Sequence, residues 1–334
     1  MVHDYIGHPL QCSGIEECRL CGGKGDQMPI YEVRNGKGLS FTVFPQRCLD
    51  IGRLSFKGLN CSFLSPAGYT APYYFREEGK EFLKSFTCGF LTTCGLQNVG
   101  PAGKEGGETF GLHGSISNTP AEFVSCTQTG ESLEIQGMIR DERIFGCKLQ
   151  LKRRISCSLK ENSIEIQDIV ENTGDRDAPL MILYHFNTGY PLLSEKAELY
   201  IGSKEVRPRD AIAEKGAENW MYVEKPQPGY QEQCFYHRFS GAGKAGIYNQ
   251  DCDIGFFMEY STAELPAFTQ WKMMGIRDYV MGLEPGNCNP EGRVKLREKG
   301  KLDMIKPKEK KNYKIRFVFF DEYHIWKENK IGRC

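Results

Sequence analysis

Three short stretches of the chain carry residues suited to moving protons. In GGETFGLHGSISNTP, Gly106 to Pro120, one of only six histidines, His113, sits among glycines, small polar residues and a proline. Irregular glycine-rich backbone is a poor place to bury a core imidazole and a common place to present one. In LYHFNTGYPLL, Leu183 to Leu193, a strand would set His185 on one face with Leu183 and Asn187, and Tyr184 and Phe186 on the other. A histidine beside an asparagine suits a polar face better than a dry core, although a core histidine satisfied by backbone carbonyls has the same pattern. In YVMGLEPGNCNPEGR, Tyr279 to Arg293, Glu284 ends a short apolar run and is followed at once by Pro285 and Gly286. A carboxylate where strand becomes loop fits the rim of a β architecture, where binding sites form. Taken alone, it fits a solvated strand end equally well.

An imidazole and a carboxylate can both be tuned toward neutrality, which makes such a set competent for general acid–base chemistry without a metal or organic cofactor. Two imidazoles and a carboxylate are also a workable ligand set for a divalent ion, the basis of a metal-dependent isomerase or lyase. A phosphate-cradling loop at GPAGKEGGE is a weaker match, because it lacks the GK[ST] ending and a strand-to-helix setting.

The elements that must position these residues read as strands. LEIQGMIR (Leu133 to Arg140), CKLQLKRRISC (Cys147 to Cys157), NSIEIQDIV (Asn162 to Val170) and YKIRFVFF (Tyr313 to Phe320) place apolar residues largely at every second position, separated by turn signals such as KEN and ENTGD. That is the period of half-buried strands joined by hairpins. FREEGKEFLKSF, Phe75 to Phe86, is the best candidate for a short helix. The pattern predicts an all-β fold, a large antiparallel sandwich with few short helices. Thr92 to Pro120 and Glu214 to Gln233 gather Gly, Pro, Asn and Ser and are expected to be irregular; loops of that length in a compact domain are usually functional or disordered. Asn98, in GLQNVG, lies on the first of them with His113.

Composition narrows the partners. Over 334 residues, 43 basic side chains balance 43 acidic ones, so no overall field favours nucleic acid or an anionic membrane, and a small neutral substrate suits such a surface. No apolar run approaches the roughly 18 residues of a spanning helix, and the first residues lack a signal-peptide pattern. A cytoplasmic protein is expected, a monomer or homodimer. The 14 cysteines are scattered, and buried reduced thiols explain most of them. Cys12, Cys18 and Cys21 end in CxxC, but no fourth ligand or second paired knuckle follows nearby to complete a zinc site.

LHGS around His113, LYHFNTGYPLL around His185 and GLEPGN around Glu284 resemble the corresponding segments of the galactose mutarotase-like superfamily, the aldose 1-epimerases. RCLDIGRLSFKG (Arg47 to Gly58), FLTTCGLQNVG (Phe90 to Gly100), GLHGSISNTPAE (Gly111 to Glu122) and WKMMGIRDYVMGLEPGN (Trp271 to Asn287) are similar to a closer subgroup, the DUF4432 proteins, over roughly Tyr31 to Phe320. The resemblance implies a β-supersandwich over residues 31–334, with residues 1–30 as an N-terminal extension packed on it and the site in a concave face.

It also implies interconversion of sugar anomers, with no cofactor. Glu284 would act as base at the C1 hydroxyl, His185 as acid at the ring oxygen, and His113 as a hydrogen-bonding partner steadying developing charge. Arg47 would hold sugar hydroxyls with its fork of donors, with Asp50 orienting it or pinning a turn. Mutarotases carry an aspartate on a later strand that grips sugar hydroxyls; this chain has GYQEQCF there, so Glu232 is the expected replacement. Trp271 would supply an apolar platform for the sugar ring, and Lys272 beside it another polar contact. A non-catalytic carbohydrate-binding protein would keep the arginine and tryptophan without needing the acid–base pair.

Overall fold

The computed structural model describes residues 4–331. The alternating segments form antiparallel strands at Ser132–Glu142, Lys148–Ser158, Ser163–Asn172 and Lys310–Phe320. They lie in an eight-stranded sheet whose order continues from Lys310–Phe320 through Ile254–Tyr260 and Gly243–Asn249 to Ala197–Ile201, with Ala121–Gln128 at the opposite edge. A six-stranded sheet runs Glu205–Pro208, Gln233–Arg238, Ala267–Met274, Tyr279–Gly286, Met181–Thr188 and Leu91–Leu96. A five-stranded sheet runs in chain order from Gly14–Arg19, which pairs with Pro29–Arg34, to Leu59–Asn60. Segments from the first 30 residues thus form the outer strand of that sheet.

The core lies between the eight- and six-stranded sheets. Phe186 packs on Phe317 with ring centroids 4.7 Å apart, and Phe90 on Phe317 at 5.1 Å. Because successive strand residues point to opposite faces, committing Tyr184 and Phe186 to this core turns His185 and Asn187 to the other side of the sheet.

A buried ionic cluster ties the three sheets together. Arg153 donates to both carboxylate oxygens of Asp168 (2.9 and 2.7 Å) and to Asp50 (2.8 Å). Asp50 also accepts from the Thr93 amide (2.9 Å) and hydroxyl (2.6 Å), and Asp168 from the Tyr184 hydroxyl (2.8 Å). Asp50 therefore neither orients Arg47 through a hydrogen bond nor merely pins a turn; it fixes the strands that neighbour the site.

Helix is scarce, and two differences from the sequence pattern concern it. Only Phe82–Ser85 of the Phe75 to Phe86 stretch closes an α-helical turn, while Tyr323–Ile331 adds a C-terminal helix that the periodicity did not mark. The segment expected to be irregular from Thr92 begins as a strand, Leu91–Leu96, and holds a small hairpin of Gly103–Glu105 with Glu108–Phe110. Its small polar residues pack within a sheet buried on both faces, where bulk is not needed. Among the described residues no helix is long and apolar enough to cross a membrane.

Candidate active site

His185 and Glu284 come from adjacent strands. The register that pairs Leu183 with Gly286 and Phe186 with Leu283 sets His185 opposite Glu284, and Thr269 pairs with Glu284 from the other side. His185 Nε2 stands 3.2 Å from Glu284 Oε1, with both side chains almost fully buried. The two atoms touch without the alignment of a hydrogen bond: Glu284 Oε1, His185 Nδ1, His113 Nδ1 and Thr269 Oγ1 are all buried without a hydrogen-bond partner. All four residues line one cavity of about 370 Å³. Unsatisfied buried polar atoms gathered in a cavity are characteristic of a site waiting for a ligand.

His113 arrives from the loop. Its φ of 60° lies in the left-handed region, and Gly114 follows with φ 72°. Backbone bonds hold this conformation: His113 N donates to Gly100 O (2.9 Å), and His113 O accepts from Gly95 N (3.0 Å). A Cβ on Gly114 would lie 2.8 Å from Asn98 O, so glycine is required there. Sparsely populated backbone fixed from both sides delivers a side chain to a set place. The His113 and His185 rings meet edge to face at 5.9 Å.

Apolar rings close the walls. Phe82 lies 5.5 Å from the His113 ring, Phe86 5.4 Å from His185, and Trp271 5.1 Å from His185. Burial governs the electrostatics accordingly. It pulls the His113 imidazole down to about 4, with Glu232 opposing and Arg209 adding to the shift. Burial, then the neighbouring His113, takes His185 down to about 3, with Asn187 opposing. The Glu284 carboxyl is pushed well above the usual carboxylate range by burial and by the nearby Glu232 charge, against Arg209. Burial thus favours the uncharged form of all three groups, the protonated carboxyl of Glu284 and the neutral imidazoles of His113 and His185.

Trp271 and Glu232 also line the cavity. The indole Nε1 donates to Glu232 Oε2 at 2.9 Å, and Arg209 Nη2 donates to Glu232 Oε1 at 3.1 Å. Glu232 is thus engaged through both oxygens and clamps the indole at the mouth.

Three expected ligand contacts lie elsewhere. Arg47 is buried outside the cavity, donating to Thr70 O (2.8 Å) and Ser85 O (3.1 Å), so its fork is used to pin the segment that carries Phe82 and Phe86. Asn98 Nδ2 donates to Pro101 O (3.0 Å) and Gly111 O (2.8 Å), and its Oδ1 accepts from Arg293 N (2.9 Å); the residue staples the His113 loop instead of facing a ligand. Lys272 follows Trp271 on a strand and so points to the opposite face, where Nζ donates to Asn219 O (2.7 Å) and Glu224 (3.0 Å).

Thr269 and Arg209 line the cavity without having been anticipated. Thr269 belongs to the face of Trp271 by strand alternation, a signal available in AFTQWKMM. Arg209 immediately precedes Asp210, which caps the short helix Ala211–Lys215 by accepting from Ile212 N and Ala213 N; nothing local marks it as a cavity residue. His113, His185 and Glu284 do not form a metal-ligand set: among the described residues no group of three or more His, Cys, Asp or Glu side chains is placed to hold an ion. Cys12, Cys18 and Cys21 are free and exposed.

A family model described as a domain of unknown function, DUF4432, matches residues 25–318. The chain belongs to the DUF4432 family. This DUF4432 protein is similar in structure to a putative aldose 1-epimerase from Klebsiella pneumoniae subsp. pneumoniae MGH 78578, with a TM-score of 0.87 and 22% identity over 96% of this chain and 88% of that one. A galactose mutarotase-like protein from Clostridium acetobutylicum gives a TM-score of 0.67 at 14% identity, covering 93% of this chain and all (100%) of that one. Galactose 1-epimerase from Lactobacillus acidophilus NCFM gives 0.61 at 15%, covering 92% and 99%. The fold of the DUF4432 chain is therefore the galactose mutarotase-like β-sandwich. No curated protein matches the sequence.

Proposed function

We propose that the protein is an aldose 1-epimerase, interconverting the anomers of a neutral sugar by proton exchange between Glu284, His185 and the hemiacetal. The observation that carries the reading is the 3.2 Å approach of His185 Nε2 to Glu284 Oε1, both buried, inside one cavity. Two titratable groups in contact, whose surroundings push their proton affinities in opposite directions, are the expected apparatus of acid–base catalysis.

The pair holds one exchangeable proton between them. A sugar hydroxyl entering the site hydrogen-bonds both groups and favours transfer of that proton from Glu284 to His185, giving carboxylate and imidazolium. Glu284 then takes the proton of the C1 hydroxyl while His185 delivers its proton to the ring oxygen; the C1–O5 bond breaks and an open-chain aldehyde forms. Rotation about C1–C2 exposes the other carbonyl face. O5 attacks C1 as its proton returns to His185 and Glu284 protonates the new C1 oxygen, which leaves carboxylate and imidazolium; the proton then passes back from His185 to Glu284 as the sugar leaves. His113 offers a ring N–H to the oxygen that carries transient charge. Trp271 provides the face against which sugar C–H groups pack, and Arg209 with Glu232 supplies polar contacts at the mouth. The fold shared with aldose 1-epimerases supports the same reading.

The test is anomer equilibration of freshly dissolved aldoses, followed by polarimetry or NMR with the spontaneous rate subtracted. Acceleration of at least one sugar is expected between about pH 6 and 8. A protein that accelerates none of a broad panel is not a simple mutarotase.

A further inference from the structure

Asn187 lies on the same face of its strand as His185, two residues on, and is fully buried. The reaction described above makes no use of it. Its Nδ2 donates to the backbone carbonyl of His185 at 2.8 Å, which fixes the orientation of the amide. Its oxygen, Oδ1, is buried without a hydrogen-bond partner, and so is His185 Nδ1. Of the side chains around His185, Asn187 is the one whose hydrogen bonding favours the cation.

The choice of imidazole tautomer then follows from matching donors to acceptors. A neutral ring has one N–H and one lone pair. With the proton on Nε2, Nδ1 and the Asn187 oxygen would both be buried acceptors on one strand face, with no donor for either. Flipping the amide would not help, because it would set Oδ1 against the His185 carbonyl oxygen. With the proton on Nδ1, the Asn187 oxygen accepts it and the Nε2 lone pair faces Glu284.

We infer that Asn187 is a positioning residue: its Oδ1 takes the Nδ1–H of His185, so that Nε2 is the nitrogen that exchanges the proton with Glu284. The inference rests on the reading of His185 and Glu284 as the reacting pair, and it assigns to the reaction a third group that touches no substrate. The logic is that of any catalytic histidine whose far nitrogen is held by an acceptor.

NMR of the full-length protein labelled with ¹⁵N-histidine reads the tautomer directly, with the His185→Asn spectrum assigning the resonance. The neutral Nδ1–H form is expected in the wild type from about pH 6 to 8. Asn187→Ala should populate both tautomers and lower kcat roughly 10-fold or more with KM little changed. Asn187→Asp, which keeps an acceptor in place, should retain the Nδ1–H form and titrate at higher pH. A wild-type ring carrying its proton on Nε2, or an alanine variant that keeps the wild-type tautomer, overturns the inference. The tautomer is measured without substrate, so absence of epimerase activity would defeat the proposed reaction and leave this measurement decisive on Asn187.

Discussion

The carboxyl of Glu284 occupies the space that Gly282 leaves by having no side chain. A Cβ built on Gly282 would collide with Oε1 and would also lie 2.9 Å from the Trp271 Cβ, closer than real contacts allow. Gly282→Ala should therefore displace the carboxyl from His185 and push the paired Trp271 backbone locally aside. We expect kcat to fall on the order of 10- to 100-fold, since small misplacements of a reacting group are costly, with the fold retained by circular dichroism.

Glu284→Gln and His185→Asn should each lower kcat by on the order of 10²-fold or more, with smaller effects on sugar affinity. The double variant should be little worse than the poorer single, because the two groups act in one exchange. Glu284→Gln carries a second signature. A carboxyl whose folded pKa is raised holds a proton that the unfolded chain has released, so its contribution to stability declines as pH rises through the ordinary carboxylate range. Removing the titration should leave Glu284→Gln more stable than the wild type at pH 7, in a thermal melt that shows the difference shrinking toward pH 4.

Arg47 should behave as a structural residue. Arg47→Met removes buried charge-assisted bonds to Thr70 O and Ser85 O, and we expect a loss of about 2–4 kcal/mol in denaturant unfolding. Sugar affinity of the folded fraction should change little. A variant of normal stability with a large rise in KM would return Arg47 to the ligand.

These outcomes also mark what was legible beforehand. Strand alternation located four strands of the eight-stranded sheet and set His185 on one face with Asn187, because the period of two follows from strand geometry. The same rule, applied to neighbours, separates Trp271 from Lys272, which a family motif read as one block does not. Arg47 and Asn98 stand in motif segments, yet each spends its hydrogen bonds on backbone groups, among them Ser85 O for Arg47 and Arg293 N for Asn98, and only the folded chain reveals which ones. Arg209 lay beyond reach for a related reason: its place in the cavity depends on Glu232 and Cys234, contributed by a later strand and the loop before it.

His113 offers a pH test with the opposite sign to Glu284. Its folded pKa of about 4 lies below the ordinary 6.5, so between those values the unfolded chain binds the extra proton. Stability from this group is complete above about pH 6.5 and is lost as pH falls toward 4, by a few kcal/mol at order-of-magnitude level. Chemical denaturation from pH 7 to 4.5 should show the wild type losing more stability than His113→Asn. Parallel losses in the two proteins would mean that the imidazole is solvated.

The ionic cluster of Arg153, Asp168 and Asp50 has a consequence for how the chain can be taken apart. Its charged members come from the eight- and five-stranded sheets, Thr93 and Tyr184 join them from the six-stranded sheet, and a buried charge deprived of its partner costs roughly 3–5 kcal/mol. A fragment ending before Arg153 would strand Asp50, and one beginning after Asp50 would leave Arg153 with half its counter-charge. Circular permutation that opens the chain at a surface turn should be tolerated, whereas separately expressed halves should fold only when mixed. The sheets should also lose amide protection together in hydrogen exchange, as one cooperative unit.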